Sequence, residues 1–302
     1  MTAETGLQVE IQAEDQQAVV DSVGGGLRSY SAGGRDLLDG YPADQPSSSG
    51  RGQVLIPWPN RLEDGTYEFD GRLHQLPLTE PERGDAIHGL VRSETWTVGE
   101  REPHRVVVEH VLQRQPGYPF TLSLAVEYAL SESGLSVRTT ATNIGPEACP
   151  FGSGQHPYLT LGTPAVDSLF LSAPGRTVLI TDERGIPRGR EPVECTPYDF
   201  RRPREIGATT LDHAFTDLVR GIDGRARVEL RDPRSRAGVS LWMDESYPYL
   251  QLFTGDPLPD VARRSLAVEP MTCPANAFRT GEDLVRLEPG ASATSAWGIV
   301  PG

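Results

Sequence analysis

Apolar and polar residues alternate with a period of two along most of the chain, as in RVVVEHVLQ (105–113), TLSLAVEYAL (121–130), GLSVRTTATN (134–143), RARVELRD (225–232), AGVSLWMD (237–244) and YLQLFTGD (249–256). Successive side chains of a strand point to opposite faces, so each segment predicts a strand with one buried and one wet face. SESG, GIDG and RDPRSRAG separate these runs at hairpin distances. That spacing favours antiparallel pairing over the crossover helices that a parallel sheet requires. No long amphipathic helix is legible. Gly24, Gly25 and Gly26 follow a strand-like run and no helix opens behind them, so they read as a hairpin turn and not as a dinucleotide loop.

The segments DQPSSSGRGQ (44–53) and DERGIPRGREP (182–192) are polar and turn-rich, and they are expected to be long surface loops. Strand-like sequence lies on both sides of each, and neither a composition shift nor a fixed-period repeat marks a boundary. The expected architecture is therefore all-β, a large antiparallel β-sandwich spanning 1–302 as a single domain. A chain of 302 residues is long enough for a large buried core.

Charge narrows the partners. The 42 acidic and 28 basic residues leave a formal net charge of −14, and a nucleic-acid backbone or an anionic bilayer repels such a surface. Every basic residue is arginine, which excludes a Schiff-base lysine and the lysine of a phosphate-binding P-loop. MTAETGLQVE lacks the basic and apolar stretches of a secretory leader, and no apolar run is long enough to span a membrane. A cytoplasmic protein, monomer or homodimer, with a small-molecule partner and neither nucleic acid nor membrane as partner, is expected. Cys149, Cys195 and Cys273 are far apart and are expected to be buried or inert thiols.

Six histidines are available for chemistry. His104 and His110 lie in or beside a charged strand, and His74 follows a hairpin turn, so all three read as surface residues. His88 in RGDAIHGLVR and His156 in FGSGQHPYLTLG sit on irregular segments next to strands, where functional groups concentrate, although a loop histidine also serves purely structural ends. In RSLAVEPMTCP, alternation places Ala267 and Glu269 on one face, and Pro270 suggests a strand end or edge. Glu269 then projects either into a cavity lined by small residues or into solvent. Arg61, on the stiff segment IPWPNRLEDG, can hold a guanidinium toward a polar ligand or pair with Glu63 or Asp64. Asp212 in TTLDHAF can accept from a sugar hydroxyl or cap a turn. No H-x-x-x-H, H-x-H or H-E-x-x-H spacing exists, so a metal site would need wholly distant ligands, and GSGQH does not form a nucleophile elbow.

Taken together, PWPNRLEDGTYEFDGRLHQLPLTEPERGDAIHGLVRSETW (57–96), QHPYLTLG (155–162), LDHAF (211–215), LQLFTGD (250–256) and AVEPMTCPANAF (267–278) resemble the aldose 1-epimerase (galactose mutarotase) family, in the family's order and along nearly the whole chain. The resemblance implies a galactose mutarotase-like supersandwich and cofactor-independent interconversion of the anomers of an aldose, with no metal. Carried over by position, it makes Glu269 the general base and His156 the general acid, with Arg61, His88 and Asp212 holding the sugar. Trp58, Tyr158 or Phe253 would stack on the pyranose. A bell-shaped pH profile would follow, its acidic limb from the carboxylate and its alkaline limb from a histidine near ~6.5. Gln155 and Leu159 stand where the family often has asparagine and an aromatic, as in its more divergent bacterial members. The nearest alternative is a hexose-phosphate 1-epimerase, which would call for an arginine cluster at the pocket. A glycoside hydrolase using Glu269 and Asp212, or a non-catalytic sugar-binding protein of the same fold, are further alternatives.

Overall fold

The computed structural model describes residues 6–259 and 262–302; the first five positions of the stretch read above for a leader lie outside them. Strands dominate. Among the described residues the only α-helix is Ala277–Thr280, joined by one 3-10 turn, Val166–Ser168, and no helix is long and apolar enough to cross a membrane.

Two large sheets carry the architecture, and every ladder between their strands is antiparallel. The first has nine strands in the order Thr97–Glu102, Arg105–Leu112, Leu122–Ser131, Gly134–Asn143, Ser292–Pro301, Gly238–Met243, Ala226–Arg231, Phe170–Ser172 and Arg204–Glu205. The second runs Pro187–Pro192, Thr177–Thr181, Asp212–Thr216, Tyr249–Phe253, Leu266–Met271, Gly154–Gln155 and Val54–Leu55, with Tyr158–Leu159 paired beside it on Leu266–Met271. A four-stranded sheet made from Gln8–Ala13, Gln16–Asp21, Leu27–Ala32 and Arg35–Asp36 packs on the strands 105–112 and 122–131.

The period-two segments fold as their pattern requires. Leu122–Ser131 alternates buried and part-exposed residues along nearly its whole length. Its Leu124 and Val126 belong to the same apolar cluster as Leu250, Leu252 and Val268 of the second sheet, so the main core lies between the two sheets. Residues 22–26 do form the turn between Gln16–Asp21 and Leu27–Ala32, closed by Asp21 N–H to the Gly26 carbonyl at 2.9 Å.

Two expectations are corrected. Segment 182–192 is not one loop: Pro187–Pro192 pairs with Thr177–Thr181, and only 182–186 turns. A strand of Arg, Gly, Glu and Pro at the edge of a sheet shows no alternation because neither face is buried in a core. Glu269 and Pro270 lie at neither a strand end nor a sheet edge. Leu266–Met271 is an interior strand, buried at all six positions. Val268 N–H donates to the Pro157 carbonyl at 3.0 Å and Thr272 N–H to the Ser153 carbonyl at 2.9 Å, so Pro270 removes one ladder bond between them.

Candidate active site

Strand register assembles the site. Gln251 pairs with Glu269, Ala214 with Gln251, and Tyr158 with Ala267, and same-face residues recur every second position. Asp212, Gln251, Glu269 and Ala267 therefore share one face of the second sheet, while Val268 and Leu252 point into the core behind it. Both faces are buried, which explains why Leu266–Met271 lacks a wet side. At the interruption between the two short strands His156 joins that face, its Nε2 3.4 Å from Glu269 Oε1.

Loops close over this face. The His156 N–H donates to the Gln53 carbonyl at 3.1 Å, and the His156 carbonyl accepts from Gly52 N–H at 2.9 Å. The Ser- and Gly-rich segment 44–53 is thereby a loop, as expected, but one tied down against the imidazole. Its Gly50, at φ +79°, lies so near that a Cβ would come within 2.8 Å of the ring. Tyr158 stacks on His156, with ring centroids 5.0 Å apart and planes 16° apart, and its hydroxyl donates to the Ser49 carbonyl at 2.7 Å.

His88 arrives from a separate two-stranded ladder in which Arg61 pairs with Ile87. The next residues outward, Asn60 and His88, both take positive φ, 57° and 61°. Gly89 then passes the Ile56 carbonyl so closely that a Cβ would sit 2.0 Å from its oxygen, which only glycine permits. Asn60 N–H donates to His88 Nδ1 at 3.1 Å. That bond fixes the neutral tautomer with its proton on Nε2, so His88 offers a donor. Its ring meets that of His156 edge-on at 5.4 Å.

The result is a cleft of about 410 Å³ lined by His88, His156, Asp212, Gln251, Glu269 and Arg61 among others. All five residues singled out from the sequence are brought together here. Arg61 pairs with neither Glu63 nor Asp64. Its Nε and Nη2 grip Glu80 at 2.6 and 3.0 Å, leaving Nη1 uncommitted to that carboxylate. Asp212 accepts from Gln251 Nε2 at 2.7 Å and does not cap a turn.

Burial dominates the electrostatics. Desolvation holds His156 down at about 3. It also pushes His88 well below the ordinary imidazole value, aided by the fields of His156, Arg92 and Arg61. Glu269 is driven well above the usual carboxylate range by burial and then by the charge of Asp212, with Arg61 opposing. Burial thus favours the neutral form of each group, a protonated Glu269 and an unprotonated His156. Glu269 Oε2 and His156 Nδ1 are buried without a hydrogen-bond partner.

His88, His156 and Glu269 also place three potential ligand atoms within 4.8 Å of one another, although the sequence spacing offered no metal motif. The His88 tautomer opposes that use. A metal at Nε2 would require the proton to move to Nδ1, where it would face the Asn60 N–H.

Other expectations shift. Phe253 lines the cleft, whereas Trp58 packs into the core against Phe278 at 5.5 Å. Tyr158 is occupied with His156. His74 is not a free surface group, since it stacks on Tyr67 at 4.9 Å. Cys149 and Cys273 are buried but Cys195 is exposed. Sequence reasoning missed Glu80, Arg83, Arg92 and Gln251 in the cleft. Only the charge density of TEPERGD hinted at the first two.

Comparison with known proteins bears on the family and the fold. Residues 8–299 match the family model for aldose 1-epimerase. The chain is 35% identical to the uncharacterized protein YihR of Escherichia coli K12 over 95% of its own length and 90% of that protein's. It is 28% identical to the galactose mutarotase of Rattus norvegicus over 72% and 65% of the respective chains. The fold matches a GalM/aldose epimerase homologue from C. elegans with a TM-score of 0.87 at 19% identity, covering 98% of both chains. It also matches galactose 1-epimerase from Lactobacillus acidophilus, with a TM-score of 0.80 at 22% identity over 98% and 94%. With so much of the chain matched, it belongs to the aldose 1-epimerase family.

Proposed function

We propose that the protein interconverts the α and β anomers of an aldose by acid–base ring opening and reclosure. The observation that carries this reading is the buried contact of 3.4 Å between His156 Nε2 and Glu269 Oε1 on the floor of the cleft. Opening a cyclic hemiacetal needs a base at the C1 hydroxyl and an acid at the ring oxygen, and the pair supplies both from a single proton.

In the free site that proton rests on Glu269. Its transfer to His156 Nε2 creates the reactive form, carboxylate and imidazolium, with no change in net charge. Glu269 then takes the C1 hydroxyl proton as the C1–O5 bond breaks, O1 becomes the aldehyde oxygen, and His156 protonates O5. Rotation about C1–C2 presents the other face of the aldehyde. On reclosure O5 attacks C1, the O5 proton returns to His156, and Glu269 protonates O1. The pair ends with the proton it began with, so each turnover regenerates the enzyme.

His88 Nε2–H and the Arg61 guanidinium donate to oxygens of the sugar, and Asp212 accepts from a hydroxyl. Phe253, on the same wall, offers the pyranose an apolar face. Polarimetry of freshly dissolved α-glucose and α-galactose, with a glycoside run in parallel, tests the reading. Accelerated mutarotation without release of sugar from the glycoside is expected. Glycoside cleavage, or binding without either reaction, would overturn it.

A further inference from the structure

The segment 182–186 turns Thr177–Thr181 back into the edge strand Pro187–Pro192. Asp182 closes that turn, its Oδ1 accepting from the N–H groups of Arg184 and Ile186 at 3.0 Å each. The turn presents Arg184 to the separate ladder in which Arg61 pairs with Ile87 and Glu63 with Asp85. Arg184 Nε donates to the Arg83 carbonyl at 2.8 Å. Its Nη2 is shared among the Gly84 carbonyl at 3.0 Å, Asp85 Oδ1 at 2.6 Å and Asp64 Oδ1 at 2.9 Å. Asp85 is fully buried, and Arg184 supplies it with a counter-charge. A buried carboxylate stripped of its partner is strongly destabilising.

These contacts fall on one end of a second turn. Glu80 N–H donates to the Asp85 carbonyl at 3.0 Å and Asp85 N–H to the Glu80 carbonyl at 3.2 Å, so residues 80–85 form a closed loop with Glu80 and Asp85 at its two ends. Arg184 holds the 83–85 end. Glu80, at the other, grips Nε and Nη2 of Arg61 with both carboxylate oxygens. A planar fork accepts such a grip only from a carboxylate held in place. The turn 182–186 also touches Arg61 directly. Gly185, at φ +82°, passes so close that a Cβ would lie 2.8 Å from Arg61 Nη1 and 3.2 Å from its Cδ. Neither Arg184 nor Gly185 is among the residues lining the cleft.

We propose, resting on the epimerase reading, that Arg184 is a positioning residue for the reaction: through the turn 80–85 it sets the place of Glu80, and so of the Arg61 guanidinium that binds the sugar. Arg184 itself touches no substrate. The edge hairpin of the second sheet thereby becomes part of the site's support. A clamp that only held the fold together would act independently of Arg61. A positioning residue acts through Arg61 and has no effect on binding once that guanidinium is gone.

Polarimetry of α-glucose and α-galactose with Arg184→Met and Arg184→Lys, each made in the wild-type and Arg61→Ala backgrounds, supplies the test. Arg184→Met is expected to raise KM by about fivefold or more while kcat stays within about twofold. Arg184→Lys should fall between, because an ammonium restores the charge without the planar fork. In the Arg61→Ala background Arg184→Met should change KM by less than about twofold. Gly185→Ala leaves these ion pairs in place and is expected to raise KM in the same Arg61-dependent way. If unpaired Asp85 prevents Arg184→Met from folding, Arg184→Met with Asp85→Asn removes the buried charge and should show the same rise. An unchanged KM, or a rise as large without Arg61 as with it, would overturn the assignment. If no sugar mutarotates, the epimerase reading fails separately. Nitrogen-15 NMR of the Arg61 Nε–H then decides the positioning role without a ligand. Its hydrogen exchange is expected to be about tenfold faster in Arg184→Met, and unchanged exchange would overturn the proposal.

Discussion

The backbone N–H of Asn60 points at Nδ1 of His88 from 3.1 Å, and both residues hold left-handed backbone to make the contact. Left-handed backbone costs a non-glycine residue about 1 to 2 kcal/mol. Here it is imposed at two positions facing each other across one short ladder. What it secures is a proton on His88 Nε2.

A consequence for metals follows. Because His88 presents a donor, the trio His88, His156 and Glu269 is built to hydrogen-bond oxygens and is poorly suited to ligating a cation. Mutarotase activity is expected to survive exhaustive dialysis against EDTA. Activity that vanished on dialysis and returned with added zinc would mean that the Asn60 contact yields and His88 ligates after all.

The pH behaviour expected from the sequence changes order. An unperturbed histidine would set the alkaline limb near ~6.5, but burial holds His156 at about 3 and lifts Glu269. The one-proton pair is then formed below the usual histidine range, and its loss at higher pH belongs to the carboxyl group. These limbs are properties of the coupled pair. Nitrogen-15 NMR is expected to show neutral imidazole for His156 and His88 from pH 8 down to about 5. Protonation of His156 near 6.5 would restore the ordinary order.

Much of this site could be read from the chain because its residues occupy ends and interruptions of regular elements. His156 and His88 sit between turn residues, whereas Glu269 lies inside a strand and is legible only from its place in the alternating run. Burial of the opposite face of Leu266–Met271 could not be read, because it depends on which strand pairs alongside and on loop 44–53 folding back over His156. The reversed protonation order was hidden for the same reason, since desolvation is a property of the assembled cleft. Arg92 escaped notice because one arginine among 28 has no local signature; only its place in the folded cleft sets it apart.

Substitution of Arg61 is expected to act on binding. Nη1 lies outside the Glu80 clamp, and in the proposed reaction the guanidinium donates to a sugar oxygen in ground and transition states alike. Arg61→Ala should raise KM more than it lowers kcat, with a loss in kcat/KM equivalent to about 1.5 to 3 kcal/mol. Steady-state kinetics with glucose and galactose provide the check. A kcat collapse at unchanged KM would place Arg61 at the reacting atoms.

Gly50 is expected to be as sensitive as a catalytic residue although it carries no functional group. A Cβ there would come within 2.8 Å of His156 Cδ2 and 2.9 Å of Nε2, on a backbone at φ +79°. The imidazole is packed against Tyr158 as well, whose ring stacks on it. Gly50→Ala should lower kcat by about 10²-fold through misplacement of the acid, with a stability loss of only about 1 to 2 kcal/mol. A variant with kcat within about twofold of wild type would show that the loop adjusts and the ring stays in place.

Glu269→Gln joins function to stability. The substitution keeps size and hydrogen-bonding reach but removes the base, so kcat should fall by roughly 10²-fold or more while sugar still binds. Its effect on folding should run the other way. A carboxyl group whose folded pKa is raised above its ordinary 4.5 stabilises fully below that value and loses the stabilisation as pH rises through the folded pKa. Wild type therefore bears a growing cost above pH 4.5 that glutamine does not. Melting temperature of Glu269→Gln should exceed that of wild type at neutral and mildly alkaline pH, with the gap closing as pH falls toward 4.5. Thermal melts across that range, paired with calorimetric titration of glucose or galactose into the variant, measure both halves. A variant that binds sugar and turns over at near-wild-type rate would remove Glu269 from the chemistry. A gap that widened toward acid pH would mean that the buried carboxyl group is ionised in the resting site, and the proton would have to be placed on His156 instead.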